Sequence, residues 1–189
     1  MNSLQIDTLS RVLVIDTETG GLDPNHHSLL SLAMVSWDLK YQKEFFVREA
    51  NLVTNAQSME INQIDLDWIK AHGKSPLCIC EQIEDFLNQI TVTRPLIMVG
   101  HNIAFDLSFI KRLYHLANRP FPSDLSHRSI DTHSLLWTLS HLGKIPANTC
   151  SSDQAFKFFD VSPPQHLRHT ALGDAVATRH LLEKILTYF

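Results

Sequence analysis

The sequence predicts an α/β domain built on a mixed central β-sheet flanked by helices, and three observations carry that reading. Short apolar, β-branched runs come first, at Arg11–Asp16, Ser28–Trp37 and Tyr41–Val47, each bounded by turn residues. Segments with helical spacing then alternate with further short apolar runs, the order expected when helices cross over a partly parallel sheet. The length is 189 residues with 44% hydrophobic content, only 6 glycines and 8 prolines, which fits one domain over 1–189 and excludes a collagenous or low-complexity chain.

Taken in order, Arg11–Asp16 reads as a buried strand that stops at an acid, followed by Thr, Gly and Pro punctuation through Pro24. The next two runs, joined by Asp38-Leu39-Lys40, form an antiparallel meander. Ala50–Ser58 is polar and reads as a loop; Asp65–Ala71 is a short helix that ends at His72-Gly73. Ser75-Pro76 supplies a cap and a first-position proline for a helix reaching Ile90. Leu96–Gly100 is the best candidate for a fully buried central strand. Ala104–Leu116 is helical by the spacing of Phe105, Phe109, Leu113 and Leu116, and Asn118–Ser126 is a loop. A brief strand at Arg128–Ile130 precedes a helix capped by Asp131 or Thr132, then one capped by Ser151 or Ser152, and a terminal helix over Thr170–Tyr188.

Charge narrows the function classes. The chain carries 16 basic against 20 acidic residues, a net −4 with its 11 histidines neutral, so it has no polybasic surface for gripping nucleic acid. Three cysteines in no metal-binding spacing point to a reduced, cytoplasmic setting. Met1–Ser10 lacks the basic start and apolar stretch of a signal peptide, and no run approaches the roughly 20 apolar residues of a membrane span.

The residues that suggest chemistry fall in three places. Asp16-Thr17-Glu18 ends the first strand, and residues two apart on an extended chain share a face, so both carboxylates can meet one cation. Asp106 lies in the first turn of the helix after Leu96–Gly100, beyond the carboxyl end of a strand, where functional groups gather in open α/β sheets. His169 and Asp174 stand at the mouth and in the first turns of the terminal helix.

In that order the motifs VIDTETGGLDP (Val14–Pro24), GHNIAFDLSF (Gly100–Phe109) and HTALGDA (His169–Ala175) resemble those of the DEDDh, or DnaQ-like, 3′–5′ exonucleases, the family of ribonuclease T and of bacterial proofreading epsilon subunits. The resemblance covers Arg11–Leu186. It implies a ribonuclease-H-like fold and metal-dependent hydrolysis of nucleic-acid 3′ ends to nucleoside 5′-monophosphates. It further implies that Asp16, Glu18, Asp106 and Asp174 hold two Mg²⁺ ions, for which Mn²⁺ would substitute, with His169 as general base. Two-metal catalysis needs hard oxygen ligands, and a histidine of ordinary pKa near 6.5 accepts a proton at cellular pH. Setting those four acids aside leaves the other charges balanced, so the metals rather than a basic groove would draw in the phosphate.

The same resemblance places further residues near the substrate. Leu22 matches a wedge beside the terminal bases; Gln57 stands where relatives often carry a Glu that contacts the terminal sugar; Ile61 replaces a stacking aromatic; Asn62 falls at a base-side position; and Phe105 matches a stacking ring. Single-stranded or 3′-overhanging nucleic acid is the implied partner, and some relatives are homodimers. The chain ends 15 residues past Asp174, short of the polymerase-binding tail of epsilon subunits, which favours a free-standing enzyme over a proofreading subunit. A catalytically inactive nucleic-acid-binding module would be expected to lack one of the five positions, and all five are present. A zinc site built from His166, His169 and His133 or His180 lacks a matching Cys or carboxylate motif.

Overall fold

In the computed structural model, which describes residues 8–189, five strands form one mixed sheet. They are β1 (Val12–Thr19), β2 (Leu29–Ser36), β3 (Gln42–Phe46), β4 (Leu96–Gly100) and β5 (Leu125–Asp131), in the order β3-β2-β1-β4-β5. The first three make the expected antiparallel meander, while β4 and β5 run parallel to β1. The helices are α1 (Ala56–Asn62), α2 (Leu66–His72), α3 (Pro76–Gln89), α4 (Ile103–Leu116), α5 (Thr132–His141), α6 (Ser152–Phe158) and α7 (Ala171–Ile185), with short 3₁₀ turns at Ala147–Thr149, Gln165–Leu167 and Leu186–Tyr188. Met1–Asp7, part of the segment read for a signal peptide, lies outside the described residues.

Alternation along β1 divides the core. Leu13 and Ile15 join Met34, Phe45, Ile83, Phe109 and Leu113 under α3 and α4, whereas Val12 and Val14 join Val35, Val99, Ala175 and Leu182 under α7. A third cluster, Leu136, Leu139, Phe156, Leu181 and Ile185, fastens α5 and α6 to α7. Each such fully buried side chain contributes about 1.5–3 kcal/mol relative to exposure. Among the described residues, no helix is long and apolar enough to cross a membrane.

Ser75, Asp131 and Ser151, read as helix caps in the sequence, each accept a hydrogen bond from a first-turn N–H, and Asp65 and Thr170 cap their helices in the same way. Several boundaries shift by a few residues, and three of the differences bear on the site and its sheet. The first strand continues three residues past Asp16, because pairing with Leu32, Ser31 and Leu29 of β2 carries the polar Thr17, Glu18 and Thr19 along. The end of the predicted Ala50–Ser58 loop turns into α1, capped by Asn55, whose side chain accepts from the Ser58 N–H at 2.9 Å. The strand read at Arg128–Ile130 is longer, Leu125–Asp131, because it pairs with β4.

β4 meets β1 only at Val12–Val14. From Asp16 onward β1 therefore passes the end of β4, and its acidic residues lie at the carboxyl ends of the parallel strands.

Candidate active site

The same alternation sorts the acids. Asp16 and Glu18 continue the face of Val12 and Val14, toward α7, where Asp174 occupies the first turn. Carboxylate oxygens of Asp16, Glu18 and Asp174 all lie within 4.8 Å of one another. Asp106 is not among these three. Thr17 belongs to the opposite face, and its hydroxyl donates to Asp106 Oδ1 at 2.7 Å, which holds the α4 acid beside the trio.

Asp106 and Asp174 are buried, at 4% and 7% exposure, and Asp16 and Glu18 are half-buried. Burial raises Asp16 well above the usual carboxylate range, with the charges of Asp106, Asp174 and Glu18 adding to it. Burial, then the charge of Asp174, pushes Glu18 up to about 8. Burial takes Asp106 up to about 7 against the hydrogen bond from Thr17. Asp174 is raised by burial although Arg168 opposes the shift. Desolvated acids that repel one another in this way are stabilised by a cation among them.

Two features fit a hard divalent ion to this place. The donors are all carboxylate oxygens, and Asp174 Oδ1 is buried with no hydrogen-bond partner. The other oxygen of Asp174 accepts from Arg168, whose guanidinium also reaches Asp153 Oδ1 at 2.6 Å and Ser152 Oγ at 3.2 Å.

His169 adopts a left-handed backbone conformation, φ +62°, between the 3₁₀ turn and the cap Thr170. This sharp reversal sets its half-buried side chain at the mouth of α7. The reversal depends on close packing, because a Cβ at Gly173 would come 2.1 Å from the Leu167 carbonyl oxygen.

The residues proposed to touch substrate are dispersed around this centre. Leu22 is 77% exposed in the turn after β1, and Gln57 and Ile61 are exposed on α1. Asn62 is buried instead: its amide donates to the Thr19 carbonyl and accepts from the Ile64 N–H, both at 3.1 Å, which ties α1 to the end of β1. Phe105 is half-buried against the core with its ring 5.0 Å from that of Phe109. Gly20 brings α1 close, since its N–H and C=O bond Ser28 and Asn55, and a Cβ there would meet the Val53 carbonyl at 2.4 Å.

Sequence reasoning missed Thr17 and Arg168. Thr17 sits between the two acids of a recognised pair, so strand alternation could have assigned it to the Asp106 side. Nothing local marks Arg168, whose partners on α6 lie 15 and 16 residues away.

Comparison with known proteins agrees with this geometry. A family model described as an exonuclease, RNase_T, matches residues 13–182. A 3′–5′ DNA exonuclease of Escherichia coli, Cap18, is 26% identical over 165 residues, covering 85% of this chain and 83% of that protein. Among solved structures, E. coli exonuclease I in complex with a dT13 oligonucleotide superposes with a TM-score of 0.77 at 15% identity, over 93% of this chain and 41% of that one. Cell-death related nuclease 4 gives 0.75 at 14% identity, over 94% of this chain and 64% of that one. The chain thus spans about two fifths of the exonuclease I chain. The shared fold is that of the ribonuclease-H-like exonucleases.

Proposed function

Since the chain belongs to the RNase_T exonuclease family, we propose that it removes nucleotides from the 3′ ends of single-stranded or 3′-overhanging nucleic acid and releases nucleoside 5′-monophosphates. The observation that carries this reading is the carboxylate trio Asp16, Glu18 and Asp174 within 4.8 Å, flanked by Asp106 and with one buried oxygen unpartnered. The description of the E. coli relative as a 3′–5′ DNA exonuclease favours DNA over RNA and supports the direction of attack.

Asp16, Glu18 and Asp174 would hold Mg²⁺, with Asp106 completing a second position. Two such ions, when bound, supply charge stabilisation for the phosphoryl oxygens and for the leaving alkoxide. His169 would take the proton of the attacking water on an imidazole nitrogen, and the electron pair of the broken P–O bond would go to the 3′-oxygen of the penultimate nucleotide. Thr17 would keep Asp106 in place. Leu22, exposed in the turn after β1, and Gln57 and Ile61, exposed on α1, would contact the terminal nucleotides, and Phe105 would back them.

Product analysis tests the reading. An oligonucleotide with a radiolabelled 3′-terminal nucleotide is expected to release the label as a 5′-monophosphate from the first turnover. Release of a 3′-monophosphate, or internal cleavage first, would contradict it.

A further inference from the structure

We infer that Arg168 is the positioning residue for the Asp174 carboxylate, an inference that rests on the metal-site reading above. The two oxygens of Asp174 have different environments. Oδ2 accepts from Arg168, while Oδ1 is buried without a hydrogen-bond partner, and Asp174 brings one carboxylate oxygen into the group formed with Asp16 and Glu18. By engaging one oxygen, the guanidinium fixes the carboxylate plane and so aims the other at the position a cation would take.

Arg168 is itself anchored. Nε and Nη2 donate to Asp153 Oδ1 at 3.1 and 2.6 Å, Nη2 lies 3.2 Å from Ser152 Oγ, and the guanidinium carbon stands 5.3 Å from the centre of the Phe156 ring. All three anchors belong to α6, and the Arg168 side chain retains only 18% exposure. The planar fork of an arginine can bridge Asp174 and Asp153 at fixed geometry, which the point charge of a lysine cannot. Outer partners that orient a ligating carboxylate in this way typically govern metal affinity by 10- to 100-fold. A guanidinium that merely neutralised the acids would compete with the cation, so its removal would tighten metal binding. The two roles therefore predict opposite signs.

The test is calorimetric titration of the 189-residue protein with Mn²⁺ alone, alongside thermal melting in chelator. Arg168→Ala and Arg168→Lys should each weaken Mn²⁺ binding by about 10- to 100-fold. Arg168→Lys keeps the positive charge, and the melting temperature in chelator reports any loss of stability separately, so a loss of affinity beyond that of a merely destabilised protein isolates orientation from stability. Asp153→Asn, which loosens the anchor, should weaken binding by less. Unchanged or tighter binding in both Arg168 variants, with binding abolished in Asp174→Asn, would overturn this inference alone. Absence of Mn²⁺ binding to the wild-type protein would overturn the metal-site reading as well.

Discussion

At the scale of the residue, the acids are in conflict with the fold that holds them. Burial raises all four, and repulsion from the neighbouring acids adds to the shift at Asp16 and Glu18, so removing the Asp16 charge should relieve strain while removing a ligand. Asp16→Asn is expected to abolish turnover yet melt, without metal, no lower than the wild type; a calorimetric scan in chelator checks the second part. A several-degree loss of stability would show that the Asp16 carboxylate is a structural anchor. His169→Ala should lower the rate by about 10²–10⁴-fold and leave Mn²⁺ affinity near the wild-type value. An equal loss of affinity would instead place His169 among the metal-positioning groups. Conversely, the grouping of Asp16, Glu18 and Asp174, with Asp106 alongside, was readable from the sequence, because the three motifs that carry these acids resemble, in order, those of a known family. Arg168 and Thr17 were not, since their roles are set by which side chains meet in space.

At the scale of the element, the site depends on a close approach and the fold on a buried ion pair. The Gln165–Leu167 turn packs on the first turn of α7 at Gly173, where Gly173→Ala would drive a methyl into the Leu167 carbonyl. That overpacking should cost about 1–3 kcal/mol, displace the Arg168-His169 corner and reduce activity; wild-type stability and rate in the variant would contradict the account of this corner. On α4, the helix that carries Asp106, Arg112 makes a two-pronged ion pair with the buried Glu49, which also accepts from Ser28 Oγ at 3.0 Å and the Leu29 N–H at 3.1 Å. Glu49→Ala should destabilise the fold by about 3 kcal/mol, because it leaves a partly buried guanidinium and two buried donors without their partner; denaturant unfolding measures it. Elements with both an apolar pattern and a local stop signal were read closely. Leu96–Gly100 matches to the residue because Pro95 and His101-Asn102 bracket it. The end of β1 and the helix α1 were misjudged for one reason. Thr17–Thr19 and Ala56–Asn62 are polar segments whose conformation comes from a neighbouring strand or a cap rather than from hydrophobic periodicity.

At the scale of the whole molecule, the raised acids link stability to pH. In the folded chain Asp106 and Glu18 retain protons to about 7 and about 8, whereas the unfolded chain releases them near their ordinary values of 3.8 and 4.5. Between those limits the folded state binds more protons, so the stability they contribute is complete below about pH 4 and is lost as pH rises toward 8. Metal-free protein should therefore show a falling contribution to its melting temperature between pH 5.5 and 8.5, and Mg²⁺ or Mn²⁺ should restore more at the upper end, since a cation displaces those protons. A metal-induced rise in melting temperature that is the same at both ends would contradict this linkage. The fold class was legible as a whole because strand runs preceded an alternation of helix and strand. The sheet order that places β1 between β2 and β4, and thereby gathers residues 16, 18, 106 and 174, is a long-range property that no segment encodes alone.

The central claim is that this acidic centre hydrolyses nucleic acid from the 3′ end in a metal-dependent reaction. It is tested most directly by incubating 5′-labelled single-stranded DNA and RNA oligonucleotides of matched sequence with the protein in Mg²⁺, in Mn²⁺ and in chelator, beside Asp174→Asn. The account predicts a ladder that shortens from the 3′ end with either metal, faster on DNA, and absent in chelator and in Asp174→Asn. A ladder that persists in chelator, or folded wild-type protein that degrades neither substrate with metal present, would contradict it.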